Sequence, residues 1–230
     1  MSPMTDRRRQ VLEDMGIDVW LLRDNTGAAG SVVEAQPDDG GDVDDLSTLQ
    51  TRVQACQRCS LSKSRTQTVF GSGNNHAELL LIGEAPGAEE DRQGLPFVGK
   101  AGKLLDAMLF SIGLQRDQVY ICNVLKCRPP NNRNPQPAEV ESCASFLSEQ
   151  IDFIKPKVIL ALGKFSAQSL LQTEAPVYKM RESNKVLPGT EIPVVVTYHP
   201  ASLLRNPEQK AQSWQDLCKV TQLLGTNAGD

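Results

Sequence analysis

The sequence predicts an α/β fold, in which a central four-stranded parallel sheet has helices on both faces in a three-layer α/β/α arrangement. Four short segments are almost entirely apolar, as expected of strands buried on both faces. These predicted strands are residues 79–82, 119–124, 158–162 and 192–198. Helical patterns alternate with them along the chain. Such alternation favours a parallel sheet, because each helical crossover returns the chain to the same edge.

Apolar spacing and boundary residues predict the helices. The predicted helical ranges are residues 46–56, 100–112, 138–154, 164–171 and about 207–224. Pro137 suits the first turn of the third of these helices, and Gly163 opens the fourth. Residues 68–73 are predicted to form a short strand, and residues 173–191 are predicted to be irregular or hairpin-like.

The composition indicates one globular domain with some additional length. The chain has 230 residues, of which 40% are hydrophobic, and this is enough for a sizeable core. It contains no run of about 18 apolar residues that could span a bilayer. Its basic N-terminal stretch is not followed by the apolar segment of a secretory signal. We therefore expect a cytoplasmic protein without a membrane partner.

Charge and composition divide the chain into two regions. Residues 1–45 hold 11 acidic and 4 basic side chains, so residues 46–230 carry a net charge of +3 although the whole chain is at −4. Residues 1–25 contain an apolar cluster that is either a docking motif or a segment folded back on the domain. Residues 26–45 are rich in Gly, Asp and Ala and indicate a flexible acidic linker. Residues 46–226 are predicted to form the globular domain, whose basic excess is compatible with nucleic acid.

An unusual loop follows the first predicted strand. Residues 83–102 read GEAPGAEEDRQGLPFVGKAG, with three consecutive carboxylates, two prolines and five glycines. This loop is either an ordinary long connection or a binding loop, since open α/β sheets bind ligands at the carboxyl ends of their strands. Residues 83–99 of this stretch and two further loops, residues 123–135 and 199–206, each follow a strand, and we expect all three to converge on one edge of the sheet.

The cysteines supply a second chemical signal. Cys56 and Cys59 form a CxxC pair, whereas Cys127 and Cys143 are well-separated single residues. Basic residues that favour the thiolate form flank them in sequence: Arg58, Lys126 and Arg128. In a cytoplasmic chain such cysteines indicate metal binding or catalysis before disulfides. The spacing lacks the second CxxC of a zinc ribbon and leaves open an iron–sulfur cluster, a zinc site and unrelated thiols.

Residues at the ends of three predicted elements could contact a nucleobase. Asn123 closes the second strand and either offers a base edge its paired donor and acceptor or caps a turn. Phe97 either stacks on a base or packs in the core. His199 precedes the sequence Leu203–Leu204–Arg205, which is either a minor-groove wedge with a phosphate-binding cation or a helix cap with buried leucines.

Three motifs and the cysteine frame together resemble the family-4 uracil-DNA glycosylases, the iron–sulfur type of bacteria and archaea. The motifs are GEAPGAEEDRQGLPFVGKAG, NVLKCRPPNNRNP and TYHPASLLR, and they occur in the family's order. The resemblance covers residues 47–225 and does not extend to residues 1–45.

This resemblance implies a monofunctional uracil-DNA glycosylase, which flips uracil out of DNA and hydrolyses its N-glycosidic bond in base excision repair. It implies a structural [4Fe–4S] cluster on four cysteines: Cys56, Cys59, Cys127 and Cys143. It implies a set of groups around the base: the backbone of Glu84 and Ala85, the stacking ring of Phe97, the Asn123 amide that rejects cytosine, Glu90 that excludes thymine, and His199 as donor to O2. It implies a set of DNA contacts: Leu203 in the gap left in the duplex, with Arg205, Lys100 and Lys103 near phosphates.

The chemistry that the resemblance implies develops negative charge on the departing base. Cleavage of the C1′–N1 bond leaves a uracil anion and an oxocarbenium-like sugar, and a neutral His199 would stabilise that anion as an oxyanion-hole donor does. The best-known related family has a water-holding aspartate where this chain has Ala85. The partner of the attacking water is therefore open among Glu84, Glu90 and Asn132, with Asn132 favoured and Glu84 in support.

Two other functions would use the same features: a uracil-DNA binding protein without turnover, and an iron–sulfur redox or regulatory module. Residues 128–137 lack the histidine-bearing insertion of relatives that trap uracil-DNA, and the intact chemistry motifs argue against the redox module. As a glycosylase, the protein is expected to be a nucleoid-associated monomer acting on double- or single-stranded uracil-containing DNA. Residues 8–23 resemble the N-terminal peptide of the clamp-loader psi subunit of DNA polymerase III, which implies a replication or repair partner for residues 1–25.

Overall fold

The computed structural model describes residues 46–183 and 185–225. The predictions for residues 1–45, an apolar peptide followed by an acidic linker, lie outside these ranges. Within them the predicted α/β class is confirmed, because a sheet with a parallel centre has helices on both faces. Nowhere in this part of the chain is a helix both long and apolar enough to cross a bilayer.

The described strands are β1 (Ser72–Gly73), β2 (Leu79–Gly83), β3 (Tyr120–Asn123), β4 (Val158–Leu162), β5 (Lys185–Val186) and β6 (Pro193–Thr197). They form one sheet in the order β1-β3-β2-β4-β6-β5. The four inner strands are parallel, as predicted, and the two edge strands are antiparallel to their neighbours. Beyond the four predicted strands, β1 was predicted only as part of a longer strand, and β5 lies in the range predicted to be irregular or hairpin-like. Two residues carry no periodicity that would locate such strands more closely.

The described helices are α1 (Leu46–Gln54), α2 (Ala88–Gln93), α3 (Lys100–Ser111), α4 (Pro137–Ile154), α5 (Lys164–Leu171), α6 (Val177–Arg181), α7 (Pro200–Arg205) and α8 (Lys210–Leu224). Short 3-10 turns occur at Ser60–Lys63, Pro130–Asn132 and Pro207–Gln209. The five helices predicted from sequence are confirmed with small shifts at their ends. The helices α2, α6 and α7 were expected to be loop, and each is too short to repeat an apolar face.

Two apolar clusters cover opposite faces of the sheet, because successive residues of a strand point to opposite sides. On one face Leu80 and Ile82 pack with residues of α4 and α5, and on the other Leu79 and Leu81 pack with residues of α3 and α8. These four side chains of β2 are at most 1% exposed. The sheet is therefore buried between two layers, and the polar chemistry lies where its strands end.

The register of the parallel strands aligns their carboxyl ends. Gly83 at the end of β2 pairs with Asn123 at the end of β3, and Leu162 of β4 pairs with Thr197 of β6. The next residue, Gly163, donates its N–H to the Thr197 carbonyl at 2.9 Å. The segments that leave β2, β3, β4 and β6 therefore begin at one edge of the sheet.

Candidate active site

A cavity of about 440 Å³ opens at this edge of the sheet. The three predicted loops all contribute to its lining, which includes Glu84, Phe97, Asn123, Asn132 and His199. The convergence of these loops, expected from the parallel topology, is confirmed. The volume falls in the range of small-molecule sites, roughly 300–1,000 Å³.

Phe97 forms one wall of the cavity. Its ring centroid lies 5.6 Å from that of His199, with 29° between the planes. Its backbone is left-handed, with φ of 54°, a conformation that costs a non-glycine residue about 1–3 kcal/mol. Arg116 holds this backbone by donating to the carbonyls of Pro96 and Phe97. A Cβ at Gly102 would lie 1.8 Å from the Phe97 carbonyl oxygen, so the approach of α3 fixes the same segment.

Asn123 presents an unpaired acceptor beside this ring. The residue is 2% exposed, and its Oδ1 is buried without a hydrogen-bond partner among the described residues. Leaving such an acceptor unpaired costs about 1–3 kcal/mol, which indicates that a ligand supplies the donor. A Cβ on Gly83 would lie 2.3 Å from this oxygen and 2.7 Å from Cζ of Phe97. Glycine at position 83 therefore keeps the slot between the ring and the amide open.

His199 lies at the junction of β6 and α7, where its side chain caps the helix. Its Nδ1 accepts the N–H of Ala201 at 3.1 Å, so a neutral ring carries its proton on Nε2. Burial, together with nearby Arg205, lowers the pKa of His199 to about 4, and Glu90 opposes the shift. At physiological pH the ring is therefore neutral, with Nε2–H left to donate.

Glu84 and Asn132 differ in how available their side-chain oxygens are to an attacking water. Burial raises the pKa of Glu84 to about 7, so its carboxyl group changes charge near neutral pH. Asn132 is exposed at the rim, and its Oδ1 accepts a hydrogen bond from Nε of Arg128 at 2.8 Å. Ala85 also lines the cavity but offers only its methyl group and backbone. The geometry therefore favours Glu84 over Asn132, the residue preferred from sequence.

Glu90 fastens the loop after β2 and also lines the cavity. Its Oε2 accepts the N–H of Gly87 at 3.1 Å, and its Oε1 accepts the N–H groups of Val98 at 2.9 Å and Gly99 at 3.1 Å. The carboxylate is thus occupied by three backbone donors, which makes it a poor holder of water. This loop-closing role was not predicted from the sequence, although a glutamate three residues after the N-cap of a helix is a known capping signal.

The assignment of Leu203 to the DNA gap is wrong. Leu203 is 1% exposed and packs in the core cluster with α3 and α8, whereas Leu204 is 46% exposed. The reason is that this segment is the helix α7, in which adjacent residues point about 100° apart. The sequence motif alone did not show which leucine faces solvent.

Cations surround the cavity. Arg205 lines it, and Lys100 and Lys103 are exposed on the first turns of α3. Arg133, which the sequence analysis did not single out, also lines the cavity and forms an ion pair with the buried Glu139 at 2.6 Å. This distribution suits a ligand with a phosphate backbone.

The four candidate ligand cysteines line a second, smaller cavity. Its lining combines these thiols with three cations: Cys56, Cys59, Cys127, Cys143, Arg58, Arg65 and Lys126. Two of the sulfur atoms accept hydrogen bonds, that of Cys127 from Nη1 of Arg65 at 3.0 Å and that of Cys56 from a backbone amide at 3.5 Å. The structure thus brings together residues that are up to 87 positions apart in sequence.

Burial dominates the ionisation of the deeper thiols. It raises the pKa of Cys127 and of Cys143, and the cations Arg65 and Lys126 only oppose this effect. Lys126 lowers the pKa of Cys143, as expected of a basic neighbour, but burial outweighs this effect in the free thiol. Arg128 instead binds Asn132. In the described part of the chain, no group of three His, Cys, Asp or Glu side chains could hold a metal ion.

Comparison with known proteins agrees with this architecture. Residues 70–218 match the family described as the uracil DNA glycosylase superfamily. The chain is 42% identical over 194 residues to the type-4 uracil-DNA glycosylase of Archaeoglobus fulgidus, covering 80% of this chain and 95% of that protein. It is 43% identical over 163 residues to the type-4 enzyme of Thermotoga maritima, covering 70% and 84%, and 29% identical over 172 residues to the type-5 enzyme of Pyrobaculum aerophilum, covering 68% and 75%.

The family match bears directly on the cavity. The matched range contains all three of its loops, together with the ring, the amide and the imidazole that they bring to one slot. The resemblance found from the motifs is confirmed: relatives at 42% and 43% identity are named type-4 uracil-DNA glycosylases, and the chain belongs to the uracil-DNA glycosylase superfamily.

Proposed function

We propose that this protein hydrolyses the N-glycosidic bond between uracil and deoxyribose in DNA, and so initiates base excision repair of deaminated cytosine. The observation that carries the proposal is the slot between Phe97, Asn123 and His199, with one buried acceptor left unpaired. The type-4 relatives are named for this activity. The target bond is hidden in the base stack, so the nucleotide must be flipped out at a cost of a few kcal/mol.

Asn123 and Phe97 select uracil in the slot. The Phe97 ring stacks on the base, while Oδ1 of Asn123 accepts N3–H and its amide nitrogen donates to O4. Cytosine has an acceptor at N3 and a donor at C4. The Oδ1 of Asn123 would therefore face an acceptor, and its amide nitrogen would face a donor. When the wrong ligand leaves buried polar groups of a site unpaired, the site rejects that ligand by about 10⁴-fold or more.

His199 and Glu84 perform the chemical step. The electrons of the C1′–N1 bond leave with the base, and Nε2–H of neutral His199 donates to O2 of the uracil anion, where the charge develops. Water attacks C1′ and transfers a proton to the Glu84 carboxylate. Glu84 serves this purpose because its pKa of about 7 leaves it ionised above neutral pH yet basic enough to accept a proton. Asn132 assists at the rim, and the backbone of Glu84 and Ala85 contacts the base.

Gly83→Ala should close the slot. The new methyl group would displace both Phe97 and Asn123, and a misplacement of about 1 Å reduces an enzyme's rate roughly 10²-fold. Single-turnover uracil release measures the effect. Gly113→Ala is the control, because its added methyl meets no atom within 4 Å. Its φ of 74° gives this control a backbone strain that Gly83 does not have, so lost activity in Gly83→Ala alone cannot come from strain. Equal activity of both variants would show that the slot tolerates a side chain at position 83.

Glu90 is proposed to exclude thymine by occupying the space that the 5-methyl group of thymine would need. Glu90→Gly should release thymine from a T·G mispair at a detectable rate, whereas Glu90→Gln should not, because glutamine keeps the bulk. Both variants lose backbone hydrogen bonds to the loop, so thermal melting should be followed in parallel. Strict uracil preference in a folded Glu90→Gly variant would argue against this role.

Leu204 takes the wedge role that the sequence assigned to Leu203, with Arg205, Lys100 and Lys103 near phosphates. Leu204→Ala should reduce the rate of excision from a U·A duplex about tenfold, because burying the apolar surface of Leu204 in the gap contributes roughly 1.5 kcal/mol. The rate on a single-stranded substrate should change little. Leu203→Ala should instead lower the free energy of unfolding by about 2–4 kcal/mol. A Leu204 variant equally impaired on single strands would contradict the wedge.

The four cysteines are proposed to hold a [4Fe–4S] cluster: Cys56, Cys59, Cys127 and Cys143. Four soft donors on one cavity, with N–H groups aimed at the sulfurs and cations beside them, are the usual protein environment of such a cluster. Four well-separated thiols would suit a multi-iron cluster, although no three of these side chains could hold a single metal ion. The bound cluster would cross-link the end of α1, the loop after β3 and α4, and excision does not pass through it.

Residues 46–226 are proposed to be the catalytic domain, acting as a monomer at the nucleoid. Residues 1–25 are proposed to bind a replication or repair partner through the linker 26–45. A pull-down of clamp-loader subunits with a peptide of residues 1–25 tests that partner. If no clamp-loader subunit is recovered, the clamp loader is excluded as the partner.

The proposed activity is tested by an excision assay on oligonucleotides with uracil opposite guanine, opposite adenine and in single strands. We expect free uracil and an abasic site from each, and iron in the same anaerobic preparation. Stable protein–DNA adducts or binding without release would contradict the hydrolase assignment.

A further inference from the structure

Lys126 is a fully buried lysine, and its surroundings carry no matching negative charge. It is 1% exposed, and its Nζ donates to the backbone carbonyl of Asn123 at 2.6 Å and to Oε1 of Gln150. Both acceptors are neutral oxygens. Gln150 is itself 0% exposed and is held by its own donation to the Phe70 carbonyl at 3.0 Å. No ion pair found among residues 46–183 and 185–225 includes Lys126.

Such an arrangement is unfavourable unless an anion lies close by, since a buried ammonium loses its hydration and neutral acceptors compensate only in part. Lys126 lines the cavity of the four cysteines. Its side chain interacts electrostatically with Cys122 and Cys143 and lowers the pKa of both thiols against the effect of burial. Neutral thiols would leave the ammonium unpaired. Four thiolates around an iron–sulfur core carry a net negative charge at the place where it is needed.

Two contacts connect this cysteine cavity to the uracil slot. Lys126 holds the main chain of Asn123, whose side chain lines the slot. Ala85, which also lines the slot, packs against an apolar patch that includes Cys127, Cys59 and Cys143. The charge in the cysteine cavity is therefore separated from the main chain of Asn123 by one hydrogen bond, that of Lys126.

We propose that Lys126 is the buried counter-charge of the four-cysteine centre and couples its occupancy to the position of Asn123. The inference rests on the proposed cluster. With the cluster bound, the ammonium is paired and holds the Asn123 carbonyl. With the cluster absent, the same ammonium is a buried unpaired charge that destabilises the loop after β3.

Lys126→Met tests this proposal, because it should weaken the cluster-loaded protein and stabilise the cluster-free protein. Methionine keeps much of the volume without the charge. Iron release from the loaded variant to a chelator should become about 10- to 100-fold faster, as for other residues that support metal ligands. The cluster-free variant should unfold at a higher denaturant concentration than cluster-free wild type, because the unpaired charge is gone. Lys63→Met is the matched control, since Lys63 is exposed near the same cysteines, and it should change neither quantity.

Gln150→Glu provides a second test that leaves Lys126 in place. The new carboxylate pairs the ammonium internally and adds a negative charge beside the cluster. It should therefore speed iron release and stabilise the cluster-free form, as Lys126→Met does, although its volume is almost unchanged.

The outcomes separate this inference from the cofactor proposal. Wild type without iron after anaerobic preparation would overturn the cluster itself. Iron-loaded wild type with unchanged iron release in both variants would overturn the counter-charge alone. Equal destabilisation of loaded and cluster-free protein by Lys126→Met would also overturn it, because a packing role or the hydrogen bond to Asn123 acts equally in both forms.

Discussion

Replacing His199 by alanine is expected to slow uracil release about 10²–10³-fold, while the affinity for uracil-containing DNA changes little. The imidazole donates to O2 chiefly when charge has developed on the base, so its loss affects the transition state more than the bound substrate. Single-turnover excision and fluorescence anisotropy of a labelled duplex measure the two quantities separately.

The control for this variant is His76→Ala, because His76 is exposed and does not line the cavity. His199→Ala also removes the side-chain cap of α7, which costs about 1 kcal/mol of stability. A melting curve accounts for that loss. Unchanged turnover in a folded His199→Ala variant would refute anion stabilisation by this residue.

Replacing Glu84 by glutamine is expected to reduce excision about 10²–10⁴-fold, the usual range for a general base. Because the pKa of Glu84 is raised to about 7, wild-type excision should decline as the pH falls below 7. His199 stays neutral across that range and does not contribute to the decline. The glutamine variant should therefore lack this acidic limb. Glu89→Gln, on the exposed face of α2, is the matched control.

The same substitution should stabilise the fold at high pH. Burial raises the pKa of Glu84 above its value in the unfolded chain, so the folded protein binds the extra proton between about pH 4.5 and 7. The free energy of unfolding therefore falls as the pH rises through that window. At pH 8 Glu84→Gln should be more stable than wild type by about 1–2 kcal/mol, allowing for partial solvent exposure, and at pH 4 the difference should vanish. A variant less stable than wild type at pH 8 would contradict the raised pKa.

The sequence was sufficient to predict the four inner strands of the sheet and the convergence of the three loops at one edge. Apolar runs such as residues 79–82 and 158–162 predicted the parallel strands, and parallel strands end at one edge. The motifs predicted which residues meet there, including Phe97, Asn123 and His199. These inferences needed only local pattern and the topology that follows from it.

The remaining features depend on three-dimensional neighbours. Leu203 and Leu204 are adjacent and chemically identical, and only the packing of α7 shows which one is buried. The three hydrogen bonds of Glu90 depend on the path of the loop, and the raised pKa of Glu84 depends on its desolvation. Lys126 looked like a cation beside a thiol, and its burial and neutral partners became visible only in the folded chain.

The decisive measurement is nitrogen-15 NMR of the histidine rings in the protein bound to its products, abasic DNA and free uracil, with His76→Gln simplifying the spectrum. We expect one neutral imidazole for His199 between pH 6 and 8, protonated on Nε2 and not on Nδ1. A doubly protonated ring in that range, or a proton on Nδ1 alone, would contradict it.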